Sequence, residues 1–233
     1  MSISENLASV RQLIHGVALQ YRRSPDSVHL LAVSKTFGPS AVIEAAEAGQ
    51  RAFGENYLQE ALEKQQAVQA LRPDLLLEWH FIGPIQSNKT RPVAEHFAWA
   101  HAVDREKIAR RLSEQRPAYL PPLNVCLQVN VSGEASKSGV SPQDFPALAQ
   151  TVATLPNLRL RGLMAIPEPA DDFESQRKPF ALLRGLQQDL ASVGIVTDTL
   201  SMGMSADLAA AIAEGATMVR IGTAIFGKRA YAK

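Results

Sequence analysis

Short unbroken runs of apolar residues alternate along this chain with segments whose apolar positions recur every three or four residues. The first run, Val28-His29-Leu30-Leu31-Ala32-Val33-Ser34-Lys35-Thr36, is rich in aliphatic and β-branched residues. It predicts a strand buried on both faces, as in parallel sheets. Ahead of it, Leu7, Val10, Leu13, Ile14 and Val17 keep helical spacing, so residues 2–22 predict an amphipathic helix capped by Ser2 or Ser4. Further strands are predicted over 51–56, 75–82, 97–103, 123–131, 158–166, 199–202 and 217–222. Helices are predicted over 39–48 and 57–71, then a short one ending near His96 and a charged one capped by Asp104 and running to Gln115. Others follow over 142–155, 173–193 and 205–214. Pro179 falls in the first two turns of 173–193, so that helix either starts there or bends.

Eight strands alternating with helices predict an α/β protein, a closed (β/α)8 barrel with an extra N-terminal helix. The alternative is an open doubly wound sheet. Its glycine-rich first turn is missing, because Ser34-Lys35-Thr36-Phe37-Gly38 does not match G-x-G-x-x-G. With no linker, repeat or low-complexity stretch, residues 1–233 read as one domain.

Composition narrows the function classes. Hydrophobic residues at 46% and charged residues at 20% are ordinary globular values and allow a large core. The 24 Lys and Arg against 23 Asp and Glu leave a net charge of +1, which gives no general electrostatic argument for nucleic acid or an anionic membrane. Cys126 is the single cysteine and sits in an apolar run, so an internal disulfide is impossible and no Cys/His cluster suggests zinc or another metal. Neither a secretory signal nor a membrane-length apolar stretch is evident, so a cytoplasmic location is expected.

In a barrel the C-terminal ends of the strands converge on one mouth, where such folds place their chemistry. Those ends here are Lys35, Asn56, His80, the Met164-Ala165-Ile166-Pro167 turn, Ser201 to Ser205, and Arg220-Ile221-Gly222-Thr223. A partly desolvated lysine has a lowered pKa and a free amine suited to Schiff-base chemistry; the plainer alternative is a lysine that snorkels to water. His80 alone reads first as a packed core histidine, ahead of a functional one. The loop Leu200-Ser201-Met202-Gly203-Met204-Ser205-Ala206-Asp207 offers backbone N–H groups and a hydroxyl at a helix start, and Gly222-Thr223 follows the eighth strand. Loops after strands seven and eight are the usual phosphate site of this fold, although an ordinary Ser/Asp cap would look similar. Arg220, set among apolar neighbours, requires a partner: a structural ion pair, or a ligand's ring nitrogen or carboxylate. A lysine, a phosphate cup and a ring partner together form the layout of a pyridoxal 5′-phosphate (PLP) site.

Six segments then resemble the family of pyridoxal phosphate homeostasis proteins (YggS/PROSC). They are Ala32-Val33-Ser34-Lys35-Thr36, Phe53-Gly54-Glu55-Asn56-Tyr57, Trp79-His80-Phe81-Ile82-Gly83 with Gln86-Ser87-Asn88-Lys89, Arg161-Gly162-Leu163-Met164-Ala165-Ile166-Pro167, Leu200-Ser201-Met202-Gly203-Met204-Ser205 and Val219-Arg220-Ile221-Gly222-Thr223-Ala224-Ile225-Phe226-Gly227. The resemblance implies a barrel like the N-terminal domain of alanine racemase with PLP on Lys35. It implies phosphate at Ser205, Gly222 and Thr223, with Ser201 and Met202 lining the cup, Arg220 facing the ring nitrogen, and Asn56 and His80 beside the cofactor. It also implies a non-catalytic protein that binds, stores and delivers PLP to apo PLP-dependent enzymes and influences amino-acid and keto-acid balance. Lys137 matches a lysine of the family's loop, where a surface role or a secondary Schiff-base site is open.

The rival function is a PLP-dependent amino-acid racemase or lyase of the same fold. A racemase needs a second acid/base across the ring, which in alanine-racemase-like proteins comes from a C-terminal β-domain of the partner subunit. The chain ends shortly after its eighth strand, so that domain is expected to be absent and the protein to be a monomer. His80 is the remaining stand-in base.

Overall fold

The computed structural model describes residues 2–133 and 138–228; Lys137 lies outside them. The chain opens with helix α1 (Ile3–Gln20), and strand β1 (His29–Val33) then begins a regular alternation. It continues as α2 (Pro39–Glu47), β2 (Ala52–Glu55), α3 (Leu58–Leu71), β3 (Glu78–Phe81), α4 (Thr90–His96), β4 (Trp99–Val103) and α5 (Glu106–Gln115). After these come β5 (Leu123–Gln128), α6 (Phe145–Thr154), β6 (Leu158–Met164), α7 (Phe173–Ser192), β7 (Thr199–Ser201), α8 (Leu208–Ala213), β8 (Met218–Ile221) and a short α9 (Thr223–Phe226). Each strand pairs in parallel with the next, and β1 pairs with β8, so the sheet closes into the expected (β/α)8 barrel.

Helix α1 is secured at its start by a reciprocal cap: Glu5 N–H donates to Ser2 Oγ and Ser2 N–H to Glu5 Oε2. Its buried side chains, Leu7, Val10, Ile14, Val17 and Ala18, form one stripe at helical spacing. Helix α1 packs against α2, α8 and α9. Asn6 donates to the carbonyl of Ile225 at 2.9 Å, and Arg11 to the carbonyl of Ala48 at 3.0 Å, tying the last and second helices together.

Strands are shorter than their apolar runs. β3 starts at Glu78 although Leu75 and Leu77 extend the hydrophobic pattern, because these residues pack as a loop against the core. Three local expectations are corrected. Asp104 does not cap α5: its carboxylate pairs with Arg105 at 2.7 Å, and Arg105 occupies the capping position. Helix α8 begins at Leu208, not Ser205, because Asp207 Oδ1 accepts the Met204 N–H at 2.6 Å and holds a turn there. Helix α7 starts at Phe173, capped by Asp172, and contains Pro179, so it does not start at the proline. Pro179 lies near that N-terminal end, where few intrahelical bonds precede it. Among the described residues no helix is long and apolar enough to cross a membrane.

Candidate functional site

A cavity of about 310 Å³ opens at the C-terminal ends of the strands. Lys35, Asn56, Ser205, Arg220, Gly222 and Thr223 all line it, drawn together from four separate strand ends of the closed barrel. His80, Ser201 and Met202 lie lower, fully buried, and are not among its lining residues. A larger cavity of about 640 Å³ occupies the other end of the barrel, around His29, Ala52, Glu78 and Met218. It lies at strand N-termini, the end whose residues serve stability in this fold.

Lys35 sits two residues beyond β1, in a turn whose next residue, Thr36, has φ of 69°. A non-glycine residue in that left-handed region is held there by its surroundings. The Thr36 N–H donates to Glu60 Oε1 at 2.6 Å. Lys64, on the buried stripe of α3, donates to the Ser34 carbonyl at 2.8 Å, to Glu55 Oε1 at 2.6 Å and to Glu60 Oε1 at 2.9 Å. Ser34 Oγ adds a bond to Glu55 Oε1 at 2.6 Å. Burial raises the Glu55 carboxyl above its usual range, opposed by the ammonium of Lys64. Sequence reasoning missed this clamp. Its signal was present, since Ala61, Lys64 and Val68 share one face of α3 and only one of them is charged.

Asn56 follows β2. Its Oδ1 is buried and has no hydrogen-bond partner among the described residues, an uncommon state that a ligand donor or water would relieve. Gly83 lets the β3 exit pass against it: a Cβ there would stand 2.3 Å from the Asn56 carbonyl oxygen.

Arg220 is buried, and its hydrogen bonds run to oxygens that carry no formal charge. Nη1 donates to the Ser201 carbonyl at 2.5 Å and to Ser201 Oγ at 3.0 Å, and Nη2 to the Ala165 carbonyl at 2.9 Å. The structural ion pair weighed for it is therefore not what holds it. Burial brings its guanidinium down to about 10, so it remains a cation at neutral pH. A guanidinium offers five N–H donors, so these contacts leave others for a ligand. The glycine loop before α8 contributes too. Gly203 has φ of 95°, a Cβ there would lie 2.5 Å from Ala211 Cβ, and its carbonyl accepts the Arg220 N–H at 3.0 Å.

Below the cavity, His101 Nδ1 lies 2.9 Å from Ser201 Oγ and its Nε2 lies 2.9 Å from His80 Nδ1. His80 Nε2 in turn lies 2.8 Å from Glu78 Oε1. Strands β4 and β7 are not neighbours in the barrel, so the His101–Ser201 contact crosses its interior.

Known proteins share this fold. The family described as "Alanine racemase, N-terminal domain" matches residues 7–230, so the chain is a barrel of that class. The alanine racemase of Corynebacterium glutamicum superposes with a TM-score of 0.74 over 97% of this chain and 61% of its own, at 17% identity, a likeness of fold alone. At much higher identity stands the pyridoxal phosphate homeostasis protein of Pseudomonas aeruginosa, 66% identical over 99% of this chain and 97% of that protein. PipY of Synechococcus elongatus, solved with PLP bound, is 39% identical with a TM-score of 0.83 and covers 97% of this chain and all of its own. The chain belongs to the family of pyridoxal phosphate homeostasis proteins.

Proposed function

We propose that this protein binds PLP in the cavity at the strand C-termini and holds it for delivery to apo PLP-dependent enzymes, acting in PLP homeostasis without running a catalytic cycle. One observation carries the reading: Lys35, Asn56, Ser205, Arg220, Gly222 and Thr223 line the same cavity of about 310 Å³. PLP, when bound, supplies an aldehyde for an amine and an electron-withdrawing ring.

The residues present fit that group. Lys35, on the turn that Lys64 and Glu60 hold, would supply the amine that anchors the aldehyde. Ser205, Gly222 and Thr223 would hold the phosphate, backed by the buried Ser201 and Met202. Arg220 would be the partner of the ring nitrogen; as a permanent donor it would take no proton from the ring and would leave that nitrogen a weaker electron sink than a carboxylate partner would. Asn56 Oδ1 accepts from the cofactor or its water.

Lys35 and Arg220 are the titratable residues among those that line the cavity. Proton transfer by a positioned acid or base contributes roughly 10²- to 10⁴-fold in enzymes. His80 does not supply it, because both its ring nitrogens are engaged by Glu78 and His101. This supports a carrier over a racemase or lyase. We place the protein in the cytoplasm as a monomer.

Full-length protein mixed with PLP is expected to show the visible band of lysine-linked PLP, and Lys35→Ala to lose it. The loaded protein is expected to restore activity to an apo PLP-dependent enzyme. A wild-type protein that shows no band overturns the reading, and turnover of L-alanine far above that of free PLP overturns its non-catalytic part.

A further inference from the structure

The buried polar chain through the barrel has two ends whose hydrogen-bonding roles are not adjustable. At one end Arg220 can only donate. At the other the Glu78 carboxylate, lowered in pKa first by its bond from His80, can only accept while ionised. Between them stand three groups that could each point either way: Ser201 Oγ and the rings of His80 and His101.

The Glu78 end sets the direction, and the Arg220 end is compatible with it. Starting from Glu78, His80 must carry its proton on Nε2 and present a lone pair at Nδ1. His101 must then donate from Nε2 to His80 Nδ1 and accept at its own Nδ1. Ser201 Oγ–H supplies that bond, and its oxygen accepts from Arg220 Nη1. Arg220 is compatible with that assignment: its N–H takes one lone pair of Ser201 Oγ and leaves the hydroxyl proton for His101 Nδ1. Every link is satisfied with both rings neutral, and a proton on His101 Nδ1 would set the lone pair of a neutral His80 against a carboxylate.

We infer that Arg220, Ser201, His101, His80 and Glu78 form a one-directional hydrogen-bond relay in which Glu78, His80 and His101 are positioning residues for the guanidinium. The relay joins the cofactor cavity to the cavity at the opposite mouth, which Glu78 lines with half its side chain exposed. Burial pushes both rings below their ordinary range, His101 strongly, in keeping with neutral imidazoles. The charged groups that bear on the relay are few. Arg161, paired with Asp198, stacks on Trp99 at 4.6 Å and acts on Glu78; Asp207 acts on Arg220.

The role toward PLP rests on the function proposed above, whereas the relay itself can be read in protein without cofactor. Nitrogen-15 NMR of the histidine rings in the full chain is expected to show His80 and His101 neutral with the proton on Nε2. Glu78→Leu is expected to mix the tautomers and Glu78→Gln, which keeps an acceptor, to preserve them. With PLP added, His101→Phe and Glu78→Leu are expected to weaken retention roughly three- to tenfold and to shift the visible band, because Arg220 loses one of its oriented partners. Glu78→Gln should restore most of the loss. If His101→Phe does not fold, the half-exposed Glu78 variants report on the same relay. A proton on His101 Nδ1, a cationic ring at neutral pH, or unchanged tautomers in Glu78→Leu overturns the relay. Unchanged PLP retention and band in His101→Phe or Glu78→Leu overturns its positioning role. A wild-type protein that takes up no PLP overturns the proposed function and leaves the tautomer result standing.

Discussion

The Lys64 ammonium donates to the carbonyl oxygen of Ser34, the residue immediately before Lys35, at 2.8 Å. One buried lysine thus holds the turn that carries another. Lys64 is almost wholly buried beside the fully buried Glu55, so its removal strands a carboxylate in the interior. Lys64→Met is expected to destabilise the fold by about 3–5 kcal/mol, and Glu55→Gln in the same chain to return part of it. Urea unfolding measures both. A loss below about 1 kcal/mol would show that the pair is not structural.

Stability should fall on the acid side. Burial depresses both His80 and His101 below the ordinary value of 6.5. Below that pH the unfolded chain binds protons that the folded chain does not. Stability therefore rises with pH up to about 6.5 and gains nothing further from these rings above it. The slope is at most about 1.4 kcal/mol per histidine per pH unit. Urea midpoints taken between about pH 8 and about pH 5 check the sign, and a flat profile across that range contradicts it.

Gly203 combines a left-handed backbone with a blocked Cβ position. Gly203→Ala is expected to cost about 1–3 kcal/mol and to loosen PLP retention, since the same residue's carbonyl anchors the Arg220 N–H. Thermal unfolding and a PLP titration of the variant test the two effects separately; a wild-type midpoint rules out the strain.

Cys126 is buried in β5, and burial pushes its thiol up to about 12. It is expected to ignore a thiol reagent in folded protein at neutral pH and to react in full under denaturant. Rapid labelling of the native protein would contradict the packing around β5.

Most of the barrel was readable from the chain. Eight apolar runs separated by helical periodicity have few other solutions, and the strand order follows from closure. The ends of the elements were less so. Asp104 and Ser205 look like caps in sequence, and whether a side chain caps depends on competing partners, here Arg105 for the first and an Asp207 turn for the second.

The site divides in the same way. Lys35, Asn56, Ser205, Arg220, Gly222 and Thr223 were each legible because strand ends in a barrel share one mouth, a consequence of topology that periodicity alone reveals. The depth of His80, Ser201 and Met202 was not legible, and for the clamp on the lysine turn the sequence offered only a lone charge on the buried face of α3, not its partners Glu55 and Glu60. Strand alternation says that Glu78 and His80 share a face, and no more. That His80 meets His101 depends on the register of the neighbouring strands β3 and β4, and that His101 reaches Ser201, which Arg220 also holds, depends on how a closed sheet brings the non-adjacent β4 and β7 within hydrogen-bond distance across its interior.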